Sequence, residues 1–277
     1  MTCVLIPARR ASTRLPEKLL LRESGQPLLA HTCRQAALAF GPAAVAVCAD
    51  DPALVAVGRE AGVQAYLTDA GHPSGTERIA EVARLLDCAL IVNVQGDEPE
   101  IDPAHIRLVA ETLTARPWAG MATLCVAGTS ADQANPNAVK VVLGHQDRAL
   151  YFTRAGAPWD RERAAPAARC HRHLGIYAYR REVLLGYAAL PESPLEALEK
   201  LEQLRALQAG IGIACAVVAH ATPGIDVRAD YDAFLARERA RQASQGPTTT
   251  SAASAAAPGS AAASVSQTAS SRTTEAL

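Results

Sequence analysis

Eight short apolar runs recur along this chain, at residues 3–6, 43–48, 65–67, 89–94, 120–126, 139–143, 174–179 and 213–218, with helix-like stretches between most of them. Strands alternating with helices predict βαβ units and an α/β fold: a mostly parallel central sheet with helices on both faces. The near-continuous apolar runs fit strands buried on both sides. Asp51-Pro52 and Asp102-Pro103 each set a capping acid before a proline at the first helical position. Ser74-Gly75-Thr76-Glu77 and Ser193-Pro194-Leu195-Glu196 fit the capping box. A helix is expected over 194–208, where Leu195, Leu198, Leu201, Leu204 and Leu207 sweep an arc wide enough to imply heavy burial. A last helix is expected over 231–242, capped by Asp230. Residues 155–172, rich in Pro, Arg and Ala, break the pattern and read as an excursion from the sheet, a lid or a dimer contact, inside a wider region at 145–180.

The chain has 277 residues, but from about Ser244 it turns to Ser, Thr, Ala, Gly, Pro and Gln. Such a segment buries too little apolar surface to offset its ordering entropy. The expectation is one folded domain over 1–243 and a disordered tail over 244–277. A net charge of −1 gives no reason to expect nucleic acid or a membrane surface as partner. The seven cysteines are odd in number, scattered, and without a Cys-x-x-Cys pair, which argues against a disulfide framework or a cysteine zinc site and for a reducing compartment. No signal peptide or membrane span is apparent, so the protein is expected in the cytoplasm.

The first run empties into a loop where Arg9, Arg10, Arg14 and Lys18 are opposed by Glu17 alone. Open α/β sheets bind anionic ligands outside the carboxyl ends of their strands, and guanidinium forks with an ammonium suit a polyphosphate. The fourth run ends in Gln95-Gly96-Asp97-Glu98. Asp97 has two readings: a ligand for Mg²⁺, which takes one or two protein carboxylates plus substrate phosphates, or an ordinary turn residue. Asp226, after the last strand, is a second carboxylate for the same cation if its strand neighbours the others.

Other stretches also stay double. The capping box accounts for Ser74 and Glu77 but leaves Gly75, Thr76 and Arg78 unexplained; a helix amino terminus facing a cleft offers N–H groups to a nucleotide. His173 and Tyr177, four apart on a strand, share a face and fit either a polyol or carboxylate site or a satisfied core pair. Glu202 falls inside the leucine arc, where a carboxylate needs a partner, either a sugar hydroxyl or a neighbouring arginine. The chain has no G-x-x-x-x-G-K-[ST], no G-x-G-x-x-G after a strand and no G-x-S-x-G, which excludes Walker-type NTPases, dinucleotide oxidoreductases and the nucleophile-elbow hydrolases.

Taken in order, Ile6-Pro7-Ala8-Arg9, Ser12-Thr13-Arg14-Leu15-Pro16, Lys18, Ser74-Gly75-Thr76-Glu77-Arg78, Asn93-Val94-Gln95-Gly96-Asp97-Glu98-Pro99, Asn135-Pro136-Asn137, Val139-Lys140, Pro158-Trp159, His173-Leu174-Gly175-Ile176-Tyr177 and Glu202-Gln203-Leu204-Arg205 closely resemble the 3-deoxy-manno-octulosonate (Kdo) cytidylyltransferases, or CMP-Kdo synthetases. The resemblance runs from about Thr2 to Arg239. It implies a GT-A-like nucleotide-diphospho-sugar transferase fold, a homodimer, and transfer of a cytidylyl group from CTP to Kdo with Mg²⁺, giving CMP-Kdo for lipopolysaccharide assembly. It implies that Arg9, Lys18 and Asp97 are catalytic and that Asp97 and Asp226 hold the metal. By the same resemblance Arg9, Ser12, Arg14, Lys18, Ser74, Gly75, Thr76 and Arg78 face the nucleotide. Gln95, Arg154, Arg161, His173, Tyr177, Glu202 and Gln203 would line the sugar-acid pocket.

Glu17 departs from the Gly or small residue usual at its place, and Val227-Arg228-Ala229-Asp230 replaces the family's frequent Thr-Pro-Glu-Asp. The segment between Arg161 and His173 is short. Arg10 is assigned no contact. The competing readings are a cytidylyltransferase for 8-amino-Kdo or a sialic acid, and a non-catalytic nucleotide-binding protein that kept the fold.

Overall fold

A computed structural model describes residues 1–161 and 170–245. The elements run β1 (Thr2–Ala8), α1 (Leu28–Phe40), β2 (Val45–Ala49), α2 (Pro52–Glu60), β3 (Gln64–Leu67), α3 (Gly75–Ala83), β4 (Leu90–Asn93), α4 (Pro103–Thr114), β5 (Met121–Ala127) and α5 (Ser130–Ala134). There follow β6 (Lys140–Leu143), β7 (Ala149–Thr153), β8 (His171–Arg180), α6 (Arg181–Gly186), α7 (Pro194–Glu199), α8 (Gln203–Gln208), β9 (Ile213–Val218) and α9 (Arg228–Gln245). The main sheet has the order β3-β2-β1-β4-β8-β5-β9, with β6 joined to β8 and β7 to β6. β8 runs antiparallel to both β4 and β5, while β1, β2, β3, β4, β5 and β9 share one direction. The expected mostly parallel sheet is therefore present.

Alternation along β1 divides the core. Val4, Ile6 and Ala8 face a layer with Leu28, Leu29 and Cys33 of α1, Leu54 of α2, Ile106 and Val109 of α4, and Tyr231 and Phe234 of α9. Cys3 and Leu5 face the other layer, with Ile79 and Val82 of α3, Leu184 of α6 and Leu204 of α8. Period-two side-chain direction thus puts helices on both faces. All seven cysteines are buried and free, so they act as small core hydrophobes.

Asp51 and Asp102 cap as read, accepting from Ala53 N and Ala104 N, each at 2.7 Å. Ser74 and Ser193 accept from Glu77 N and Glu196 N and so form one half of the expected capping box, with Glu196 turned to Arg205. Three other expectations change. The single helix over 194–208 is two, because Lys200 is left-handed (φ 54°, ψ 49°). Its leucines explain the break: spacing of three turns each residue back by about 60° from the last, so no one helix face buries all five, and Leu198 is 80% exposed. Strand β7 was not expected. Asp230 sits within the first turn of α9 rather than before it, and its carboxylate accepts from Asp226 N and Val227 N at 2.9 and 3.0 Å. α9 also carries Ser244 and Gln245, two residues past the expected boundary; the tail otherwise lies outside the described residues, as do residues 162–169 of the irregular stretch. No helix among the described residues is long and apolar enough to cross a membrane.

Candidate active site

β1 and β4 lie side by side, Leu5 opposite Asn93, so their carboxyl ends bring the cationic loop against Gln95-Gly96-Asp97-Glu98. Gly96 permits the approach, since a Cβ there would lie 3.1 Å from Pro7 O. Lys18, only 9% exposed, donates from Nζ to Asp97 Oδ2 at 2.6 Å and to Ile225 O at 2.5 Å, and lies 3.6 Å from Asp226 Oδ1. Arg14 pairs with Asp226 at 2.9 Å. Ile225 N donates to Asp97 O at 2.9 Å, and the Asp230 carboxylate holds the turn that carries Asp226. Asp97 and Asp226, from distant parts of the sequence, therefore converge on one ammonium.

Glu98 stands beside them; burial first, then the charges of Asp97 and Asp226, push its carboxyl up to about 8. A Cβ on Gly224 would meet Glu98 Oε1 at 2.8 Å, so that glycine makes room for the carboxyl. Asp97 and Asp226 offer carboxylate oxygens of the kind a hard dication takes, with the Lys18 ammonium between them. Glu98 was not singled out from sequence, where its place directly after Asp97 was the available signal.

The outer part of the loop neutralises itself. Arg10 binds Glu17 at 2.7 Å and Asp51 at 3.0 Å, and its backbone N–H donates to Asp50. Glu17, unexplained in the sequence, is the partner of the arginine that had no assigned contact. It is left-handed (φ 50°, ψ 28°), a conformation glycine adopts most easily, which accounts for the small residue usual there. Ser12 remains on this loop, half-buried.

The cleft has two compartments that share Gln95 and Gly175. The first, roughly 430 Å³, is lined by Asp97, Glu98 and Asp226 together with Arg172 and His173. The second, roughly 300 Å³, is lined by Arg9, Gly75, Thr76, Tyr177, Glu202 and Gln203. The residues expected together on a sugar acid thus divide: His173 faces one side, Tyr177, Glu202 and Gln203 the other, and Gln95 both.

A bulge in β8 sets this division. Thr123 lies opposite Tyr177 and Leu124 opposite Leu174, leaving Gly175 and Ile176 without partners on β5. Buried Thr123 fastens the bulge, donating to Ile176 O at 2.7 Å, with its Oγ1 2.9 Å from His173 Nε2. His173 and Tyr177 do come together, ring centroids 5.4 Å apart. Burial holds the His173 imidazole down to about 3, so it is neutral. The break between α7 and α8 then aims Glu202 at α3: Thr76 Oγ1 donates to Glu202 Oε2 at 2.7 Å, and Tyr187 Oη donates to Glu202 O at 2.6 Å. Burial raises the Glu202 carboxyl above its usual range, and the Thr76 bond opposes that.

Three expected residues face elsewhere. Arg78 is fully buried; its guanidinium donates to Thr68 Oγ1 and Asp69 O and lies 3.5 Å from Asp50, locking the loop after β3. Arg154 donates to Glu199 O and Pro136 O, which fixes the α7 end just before the break. Ser74 caps α3. Arg161 is exposed, next to residues outside the described set.

Comparison with known proteins addresses the fold and site together. The cytidylyltransferase family model matches residues 3–213. A 3-deoxy-manno-octulosonate cytidylyltransferase of Acidithiobacillus ferrooxidans is 48% identical over 245 residues, covering 83% of this chain and 96% of that protein. The chain belongs to the 3-deoxy-manno-octulosonate cytidylyltransferase family. An Escherichia coli member is 41% identical over 243 residues, covering 87% of this chain and 98% of that protein. A solved CMP:2-keto-3-deoxy-manno-octonic acid synthetase complexed with CTP superposes with a TM-score of 0.82 at 39% identity, over 87% of this chain and 99% of that one. A Methanothermobacter nucleotidyl transferase, 14% identical with a TM-score of 0.55 over 87% of this chain and 99% of that one, shares the fold alone. The motifs around Arg9, Gly75-Thr76, residues 95–98, residues 173–177 and Glu202-Gln203 line the cleft, whereas Pro158-Trp159 does not.

Proposed function

We infer that this chain transfers the cytidylyl group of CTP to Kdo, giving CMP-Kdo and releasing pyrophosphate. The observation that carries the reading is the 48% identity extending over 96% of a Kdo cytidylyltransferase, with Lys18, Asp97 and Asp226 gathered in one cleft. In this reaction the anomeric hydroxyl attacks the α-phosphorus and pyrophosphate leaves, a displacement that depends on positioning and on stabilising charge. We assign Arg9, Ser12, Arg14 and Lys18 to the triphosphate, with Gly75 and Thr76 at the α3 amino terminus on the nucleotide side. Ser74 and Arg78 hold that terminus and the neighbouring loop in place. Gln95, Tyr177, Glu202 and Gln203 offer hydroxyl, amide and carboxyl groups to the polyol, and His173 and Arg161 belong to the same reading. Arg154 acts through Glu199 on the α7–α8 break.

Asp97 and Asp226 would hold a Mg²⁺ ion, which when bound supplies positive charge to the phosphate oxygens. With CTP and the ion bound, Lys18 and Arg14 would give up these carboxylates and turn to the phosphates. We extend the reading to a homodimer, supported by edge strand β7 with exposed Leu150 and by Trp159, 75% exposed; light scattering would test it. Seven free buried cysteines support a cytoplasmic setting. The test of function is pyrophosphate release from CTP and Mg²⁺ with Kdo, 8-amino-Kdo and N-acetylneuraminate in turn. Turnover is expected with Kdo; release with N-acetylneuraminate and none with Kdo would overturn the reading.

A further inference from the structure

The first turn of α4 and the chain leaving β9 bring together three side chains that the reaction does not use. Donor atoms of Asp102, His105 and His220 all lie within 4.8 Å of one another. Asp102 commits Oδ1 to capping α4 through Ala104 N and keeps Oδ2 3.2 Å from His220 Nε2. The two imidazole rings lie 4.8 Å apart between centroids, tilted 39° to each other. Among the described residues this is the one trio of histidine, cysteine, aspartate or glutamate so closely gathered. We propose that Asp102, His105 and His220 form a second cation site, selective for a borderline dication such as Zn²⁺ and separate from the Asp97–Asp226 pair.

The donor chemistry chooses the ion. Two imidazoles and one carboxylate are a zinc-type set, whereas Mg²⁺ takes oxygen ligands and keeps its waters. With bonds of about 2.0–2.2 Å, tetrahedral zinc needs donors roughly 3.4 Å apart, so the trio must close by about an ångström. His220 can supply that movement: it sits on an irregular segment, its side chain 60% exposed, while His105 is buried and Asp102 is fixed by its cap. Asp102 and His105, three apart on one helix, already share a face. The fourth position is left to water. The positive end of the α4 dipole opposes a cation here, so binding should be micromolar in order, below that of closed structural zinc sites.

Such an ion would tie α4 to the segment that continues into Thr222, Ile225 and Asp226. His105 lines the first compartment with these residues, so the site would brace one wall of the cleft. The plain alternative is that His220 and Asp102 form an ordinary surface ion pair.

The experiment is calorimetric titration of Zn²⁺ into the metal-free full chain with Mg²⁺ in excess to occupy the acidic pair. Melting is followed in parallel, and Co²⁺ serves as the spectroscopic probe. One equivalent should bind to the wild type and raise its melting temperature. His220→Ala should weaken binding about tenfold or more and abolish the thermal shift, as expected when one of three protein ligands is removed. That variant should keep its circular dichroism spectrum and its Mg²⁺-supported turnover. His105→Gln should lose the visible bands of bound Co²⁺, whereas Asp97→Asn should keep them. Equal Zn²⁺ affinity in wild type and His220→Ala, loss of binding in Asp97→Asn, or no binding below about 100 μM in the wild type would overturn the proposal.

Discussion

The two sides of the cleft hold their polar groups in opposite ways. On the phosphate side Lys18, Arg14, Asp97 and Asp226 satisfy one another, mostly through charged pairs open to solvent or ligand. Among the residues assigned to the sugar acid, Glu202 and His173, one in each compartment, are held by neutral hydroxyls, Thr76 and Thr123, on elements packed into the core. Of the first kind, the exposed Arg14–Asp226 pair exchanges at little cost when a ligand brings its own charges. Buried Lys18 leaves Asp97 only as the ligand's phosphates replace it, because an unpaired buried charge is costly. Contacts of the second kind are built before ligand arrives and fix shape. The difference suits a displacement in which charge on phosphate must be met anew while the attacking polyol must be oriented.

The comparison is broken most severely by removing an exchanging carboxylate. Asp97→Ala should lower turnover by about 10³-fold while CTP binding changes far less; steady-state pyrophosphate release and calorimetry check this, and near-normal turnover would take Asp97 out of the chemistry. Lys18→Ala should cost on the order of 10²-fold in turnover. Glu202→Gln tests the prebuilt side: it keeps the shape, so the KM for Kdo should rise about tenfold with kcat much less affected. An equal fall in both would place Glu202 among the groups acting only in the transition state.

Stability should vary with pH through buried titratable groups, among them His173 and Glu98 of the cleft and His31 of α1. Burial depresses His31 to about 4 and His173 to about 3. Below about 6.5 the unfolded chain therefore takes up protons that the native state refuses, and stability falls as pH falls. Glu98 is raised to about 8, so its contribution is full below about 4.5 and lost as pH rises through 8. Stability should thus peak near pH 6.5–7 in urea titrations, and Glu98→Gln should remove the alkaline decline and steepen the acid limb above about pH 4.5. The smallest effect is at the rim: Glu17→Gly relieves a left-handed residue worth about 1 kcal/mol but releases Arg10, and turnover should stay within about twofold.

Much of the fold was legible because strand burial and helix caps are local signals: eight strands, the alternating layers and the capping residues all read from short windows. What failed to read was tertiary. β7 is five residues with little alternation, and it exists because β6 lies beside it. The break at Lys200 follows from a leucine spacing that no single helix could satisfy. In the site, Lys18, Asp97 and Asp226 stood out because charge at strand ends is conspicuous. The Arg10–Glu17 pair, the inward turn of Arg78 and the Thr123 clamp on the bulge depend on partners brought from elsewhere in the chain. Their residue types in sequence are ordinary.

The central claim is that the phosphate side exchanges its partners while the sugar side stays as built. A crystal structure with CTP and Mg²⁺ bound tests it directly. The account predicts Lys18 Nζ withdrawn from Asp97, Arg14 withdrawn from Asp226, and the Thr76–Glu202 and Thr123–His173 contacts unchanged. A complex in which Lys18 still binds Asp97, or in which Glu202 has left Thr76, would contradict it.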